Sequence, residues 1–144
     1  GGFSISLTDY WVDYGTGFFH YGAHNTDHVF EAQIGYDFDV LAVNWYTNIA
    51  GADGVNEDGE RAYSSYVTLS APFSLGGGID WTAEVGATPW ANDYYGANGF
   101  SVREISLTAE KEIEITNNFS LPLFAKLACN PATEDTFFVF GISF

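Results

Sequence analysis

The sequence predicts an all-β chain of one domain, residues 1–144, forming an antiparallel up-and-down transmembrane β-barrel with eight strands visible. Three observations predict it. Apolar residues recur with period two rather than 3.6. Long and short connections alternate along the chain, and the apolar phase is large and aromatic where the polar phase is small and mostly uncharged.

The first strand carries Phe3, Ile5 and Leu7 on one face. In the second, residues 30–38, every even position is apolar or aromatic and every odd one is small or polar, as a strand with two unlike faces requires. A tight hairpin around Asp39 leads into Leu41, Val43, Trp45, Thr47 and Ile49, which alternate with Ala42, Asn44, Tyr46, Asn48 and Ala50. Tyr63, Ser65, Val67, Leu69, Ala71 and Phe73 share a face of the fourth strand, and the Leu75-Gly76-Gly77-Gly78 turn opens the fifth, with Ile79, Trp81, Ala83, Val85 and Ala87. Ile105, Leu107, Ala109, Ile113 and Ile115 mark the sixth. Leu121, Leu123, Ala125 and Leu127 mark the seventh, and Phe138, Phe140, Ile142 and Phe144 the eighth.

The connections 15–27, 52–60 and 92–100 are long, 130–135 is intermediate, and 37–40, 74–78 and 116–118 are short. This is the asymmetry of a membrane barrel with long loops outside and short turns inside, and it places both termini on the short-turn side.

Composition supports a folded chain and narrows its partners. Apolar residues at 47% suffice for a folded domain, and a formal charge of −15 repels polyphosphate, which excludes nucleic-acid binding. The single cysteine, Cys129, forms neither an internal disulfide nor a zinc cluster nor a redox pair. No apolar run approaches the roughly 20 residues of a spanning helix, and no basic segment followed by an apolar one opens the chain, so any signal peptide is expected to have been removed. Thirteen Phe, nine Tyr and four Trp accompany only four Lys and Arg. Either the outside of this protein is hidden from water, or it is an acidic outlier.

A soluble lipocalin-like barrel would also alternate, but its water-facing phase should carry many charges. Here the polar phase is Ser64, Thr68, Ser70, Thr82, Gly86, Ser106, Thr108, Ala128 and Ser143, with isolated charges at Glu31, Glu84, Glu104, Glu110 and Lys126. That suits a crowded interior network. The apolar phase has rings near strand ends, at Trp11, Phe38, Tyr63, Phe73, Phe119, Phe138 and Phe144, where the two headgroup levels would lie. Two cations fall in the apolar phase. Lys111 is close enough to the 116–118 turn for its stem to snorkel, and Arg103 lies near the outer end or on a bulge.

The segment Thr136-Phe137-Phe138-Val139-Phe140-Gly141-Ile142-Ser143-Phe144 resembles the last strand of bacterial outer-membrane barrels, in which the terminal aromatic residue is part of the insertion signal. Leu7-Thr8-Asp9-Tyr10-Trp11, Thr88-Pro89-Trp90, Phe119-Ser120-Leu121-Pro122 and Asn130-Pro131-Ala132-Thr133-Glu134-Asp135 resemble uncharacterised outer-membrane barrels of the Bacteroidetes group. The resemblance runs over most of the chain. It implies the outer membrane of a Gram-negative bacterium, surrounding lipid and lipopolysaccharide, and Phe144 as a signal to the barrel-insertion machinery; with no activity established for that group, it lends fold and compartment but no catalytic residues. Members of that group commonly have further strands before this point, so these eight are expected to be either a closed barrel or the C-terminal portion of a wider one.

Each candidate site has a plainer reading beside it. His20, His24 and His28 recur every four residues beside Asp27, a metal-binding array on a helix, but Gly15, Gly17 and Gly22 make the segment a loop. Asp53, Asn56, Asp58 and Glu60 are oxygen-rich but lack the EF-hand register, and read as a solvated acidic loop. No metal or cofactor is expected. Glu31, Glu84, Glu104, Glu110 and Lys126 read as structural filling rather than an acid/base set. A lipid-modifying outer-membrane enzyme would need a His with a nearby Ser or acidic partner, and a protease of this class Asp-x-His. Here Val29-Phe30 follows His28, and Asp27 is its immediate neighbour. The expected function is therefore a non-enzymatic structural, adhesive or accessory subunit. It would present loops 15–27, 52–60 and 92–100 at the cell surface or to a larger membrane complex, with Trp90, Tyr94, Tyr95, Phe100, Phe18, Phe19 and Tyr21 as recognition candidates. The alternatives are a wider porin-like channel, a lipid-modifying enzyme and a soluble binding barrel.

Overall fold

A computed structural model describes residues 1–22 and 25–142, so His24, Ser143 and the expected insertion signal Phe144 lie outside the described residues. Eight strands are formed: β1 (Gly2–Trp11), β2 (His28–Asp37), β3 (Ala42–Gly51), β4 (Ser65–Ser74), β5 (Asp80–Thr88), β6 (Ser101–Thr116), β7 (Phe119–Asn130) and β8 (Asp135–Ile142). They make one sheet in chain order, each strand antiparallel to the next. Among the described residues β1 and β8 do not pair, so the sheet is open and presents two free edges.

The turns follow local backbone chemistry. Asp39 adopts a positive φ of 70°, its N–H donating to Asp37 Oδ1 at 2.7 Å, a conformation that a short polar side chain tolerates. Between β4 and β5, Gly76, Gly77 and Gly78 take φ of 86°, 74° and 65°, a left-handed run that only glycine adopts freely. Tyr63, expected on the fourth strand, has φ 47° and stands outside it. The strand starts at Ser65 because that left-handed residue breaks the extended backbone.

Burial is inverted relative to a water-soluble core. Phe3, Ile5, Leu7 and Phe140 are 64%, 76%, 67% and 77% exposed, whereas His28, Asn48, Ser64, Ser65 and Thr88 are at most 1% exposed. Only Val29, Ala62 and Ala97 are buried hydrophobic residues among those described. From β1 to β6 the apolar phase thus lies on the outer side of the sheet and the polar phase on the inner side, whereas β8 is apolar on both, with Phe137 and Val139 exposed opposite Ala128 and Lys126.

Small residues on the inner side give room to large neighbours. Gly35 lies under a cross-strand network in which the Gln33 amide donates to Ser4 Oγ and Asn44 Oδ1, both at 3.0 Å. A Cβ on Gly86 would collide with the Tyr66 phenol, and one on Gly141 with the Phe124 ring, so each glycine is the floor beneath an aromatic side chain from the adjacent strand.

The ladder slips at three places. Gly86 pairs with Glu104 and Ala87 with Val102, which leaves Arg103 as the extra residue of a bulge and removes it from simple alternation. Its guanidinium lies near Gly96 in the connection 89–100. A second slip between Phe30 and Glu31 leaves Ile49 unpaired, and a third leaves Ile115 so. Lys111 keeps its place opposite Leu123 and is exposed. Cys129 stands opposite Ile105 on the outer phase.

Candidate functional site

The inner face gathers a cavity of about 290 Å³ lined by Tyr10, Glu31, Asn44, Tyr46, Tyr66, Thr68, Glu84 and Tyr95. Five consecutive strands, β1 to β5, contribute to it because these residues share the inward phase. Tyr95 comes from the connection 89–100, which folds inward over them.

That connection is tied down by its own polar groups. Asn92 and Ala97 exchange two backbone hydrogen bonds of 2.8 Å, and Asn92 Oδ1 accepts from Tyr95 N–H at 2.8 Å. The Asp93 carboxylate accepts from Val55 N–H at 2.6 Å, which couples this connection to 52–64. Gly54 permits the approach, because a Cβ there would meet Asp93 and the Tyr94 backbone. Trp90 ties the same two connections from outside: its indole N–H donates to the Ala62 carbonyl at 3.0 Å, and its ring lies 5.7 Å from Trp45. Tyr95 sits 5.5 Å from Tyr66 and 5.0 Å from Tyr94. Burial pushes the Tyr95 phenol well above its usual range, with the Glu31 charge acting in the same sense. It therefore stays neutral and keeps its O–H donor.

The five expected interior charges separate. Glu104 and Lys126 form an ion pair of 2.5 Å, each about one-third exposed. Glu31 accepts from the Tyr10 hydroxyl at 3.3 Å, and Glu84 faces the cavity without a hydrogen bond or ion pair among the described residues. Glu110 is exposed and pairs with Phe124 and Asp80, toward the short-turn end and away from Lys126.

Comparison with protein-family models, curated proteins and solved structures finds no match.

At the long-loop end, the connection 12–27 is anchored by two polar residues. The Asp27 carboxylate accepts from the N–H groups of Tyr14 and Thr16 at 2.8 and 2.9 Å. His28 is fully buried, with Nδ1 against the Asp9 carboxylate at 2.8 Å and Nε2 against the Phe18 carbonyl at 2.5 Å. Both partners only accept, so both ring nitrogens donate, as in the imidazolium. Tyr21 stacks on the ring at 4.1 Å. His28 thus has no ring nitrogen free for a metal. His20 is exposed, and no cluster of three His, Cys, Asp or Glu capable of holding a metal exists among the described residues.

In the acidic loop, two of the four candidate ligands are engaged internally, Asp53 and Asn56, while the Asp58 and Glu60 carboxylates accept no hydrogen bond among the described residues. Asp53 accepts from Ser64 N–H and from the Asn48 amide, and Asn56 Oδ1 accepts from the N–H groups of Asp58 and Glu60. Among the seven recognition candidates, Phe19 at 88% and Phe100 at 73% are the most open, with Phe18, Tyr21, Tyr94 and Trp90 also exposed.

Asp27 makes the loop acid-sensitive. Burial opposes its charge, but the N–H donors of Thr16 and Tyr14 prevail and hold the carboxyl below its usual range. With the folded value depressed, its stabilisation is present above the unfolded value of about 4 and is lost as pH falls through the folded value. Amide exchange at Tyr14 and Thr16 is expected to accelerate below that window, and Asp27→Asn should show fast exchange already at neutral pH.

The residues missed at sequence level are Tyr10, Tyr46, Tyr66 and Asn44. Their signal was present: each shares the phase of Glu31 or Glu84 across the paired strands, and attention to charge alone passed over the phenols.

Proposed function

We propose that this chain is the wall of a bacterial outer-membrane β-barrel whose inner face lines a solvent-filled lumen, completed by further strands joined to β1 and β8. The supporting observation is the inverted burial: apolar side chains cover the outside and polar ones fill the inside. Hydrocarbon is the solvent that favours that outer surface. The groove of about 530 Å³ on the outer face of β1–β3, lined by Ile5, Leu7, Ala32, Ile34 and Trp45, suits acyl chains.

Unpaired backbone edges are not tolerated in lipid, and added strands widen a barrel until water fills it. The open edges therefore favour a wider, porin-like conduit over a closed eight-strand plug. The exposed rings of Phe19 and Phe100 favour a second role for the long loops, docking to a larger outer-membrane assembly.

The barrel completed around this chain by its further strands is expected to need detergent for extraction, to migrate differently on unheated and boiled SDS gels, and to produce conductance steps in planar bilayers. Release from cells as a detergent-free monomer would overturn the membrane reading, and a folded but silent barrel would overturn the conduit.

A further inference from the structure

We propose that the tyrosine and glutamate cavity of the inner face binds small organic cations carrying an ammonium or guanidinium group. The proposal rests on the inner face being open to solvent. Its lining holds two carboxylates, four phenols, Asn44 and Thr68, and neither Lys nor Arg. Glu84 has no hydrogen bond or ion pair among the described residues, and Glu31 has one long bond to Tyr10, so most of their acceptor capacity is unspent. The nearest inner-face ammonium, Lys126, is engaged by Glu104, and the Arg103 guanidinium lies by Gly96 in the overlying connection.

Aromatic faces beside free carboxylates attract a desolvated cation twice, through the ring quadrupole and through charge. A volume of about 290 Å³ admits a guanidinium or a short alkylammonium. Inorganic anions meet two like charges. A neutral sugar meets phenol hydroxyls but gains nothing from the carboxylates beyond hydrogen bonds. Tyr95, carried in by the anchored connection 89–100, adds the fourth phenol to the lining from the loop side.

The test is calorimetric titration of the folded protein in detergent with agmatine and putrescine, with glucose and inorganic phosphate as comparisons. Saturable binding of the two cations alone is expected, weakened about tenfold by Glu84→Gln and by Glu31→Gln, and by a similar factor in Tyr95→Leu. Unheated gel migration establishes that each variant is folded, and Glu110→Gln, distant from the cavity, controls for loss of general negative charge. Folded protein that binds no cation, binds glucose equally well, or responds to Glu110→Gln as strongly as to Glu84→Gln overturns the site while leaving the membrane reading intact. Cation binding by a protein that proves soluble without detergent upholds the site and overturns the membrane reading.

Discussion

Leu69→Arg is expected to cost about 2–4 kcal/mol of stability in lipid or to block insertion, as a cation placed at the bilayer midplane does. Leu69 lies mid-strand on β4, paired with Val43 on one side and Val85 on the other, and is 45% exposed on the outer phase. In water, the same exchange at an exposed strand position would stay within about 0.5 kcal/mol. Unfolding of the bilayer-embedded protein in urea separates the two cases. A midpoint unchanged from the parent chain would mean that water, not hydrocarbon, covers the outer face.

Gly51→Val is expected to be comparably damaging for a different reason. Gly51 has φ 82° at the end of β3, and a Cβ there would collide with the His28 carbonyl oxygen, which already accepts from Ala52 N–H at 2.7 Å. Left-handed strain in a β-branched residue adds to backbone overpacking, for a total of about 2–4 kcal/mol. Gly59→Ala supplies the contrast: φ is 76° there, but open space surrounds the position, so only the conformational cost of about 1 kcal/mol remains. Equal denaturation midpoints for the two variants would refute the clash with His28.

Much of the architecture is visible in period-two patterning. Residues 31–37, Val43 to Thr47 and Leu121 to Leu127 fall on the expected faces because alternation survives where pairing is uninterrupted, and it is broken at Ile49 by the slip between Phe30 and Glu31. Alternation fails where the backbone departs from it: Tyr63 takes a left-handed φ, and Arg103 is absorbed in a bulge. Sheet closure is not encoded in any local pattern, since it depends on which strand meets the edges of β1 and β8. At the site, two of the five charges read as interior, Glu104 and Lys126, form an ion pair that the sequence does not single out, and Glu110 does not join them. The inward fold of Tyr95 rests on contacts between Asp93 and Val55 that lie far apart in sequence, and no spacing rule announces them.

Because sheet order follows chain order without a crossover, every ladder joins sequence neighbours. Each ladder therefore closes a single connection, and the entropy lost in closing it grows only slowly with the length of that connection. Assembly can then proceed by successive hairpin zippering, and in the proposed barrel one long-range event would be left for last, the joining of the outermost strands to those that complete it. That final step is where kinetic control of biogenesis would act.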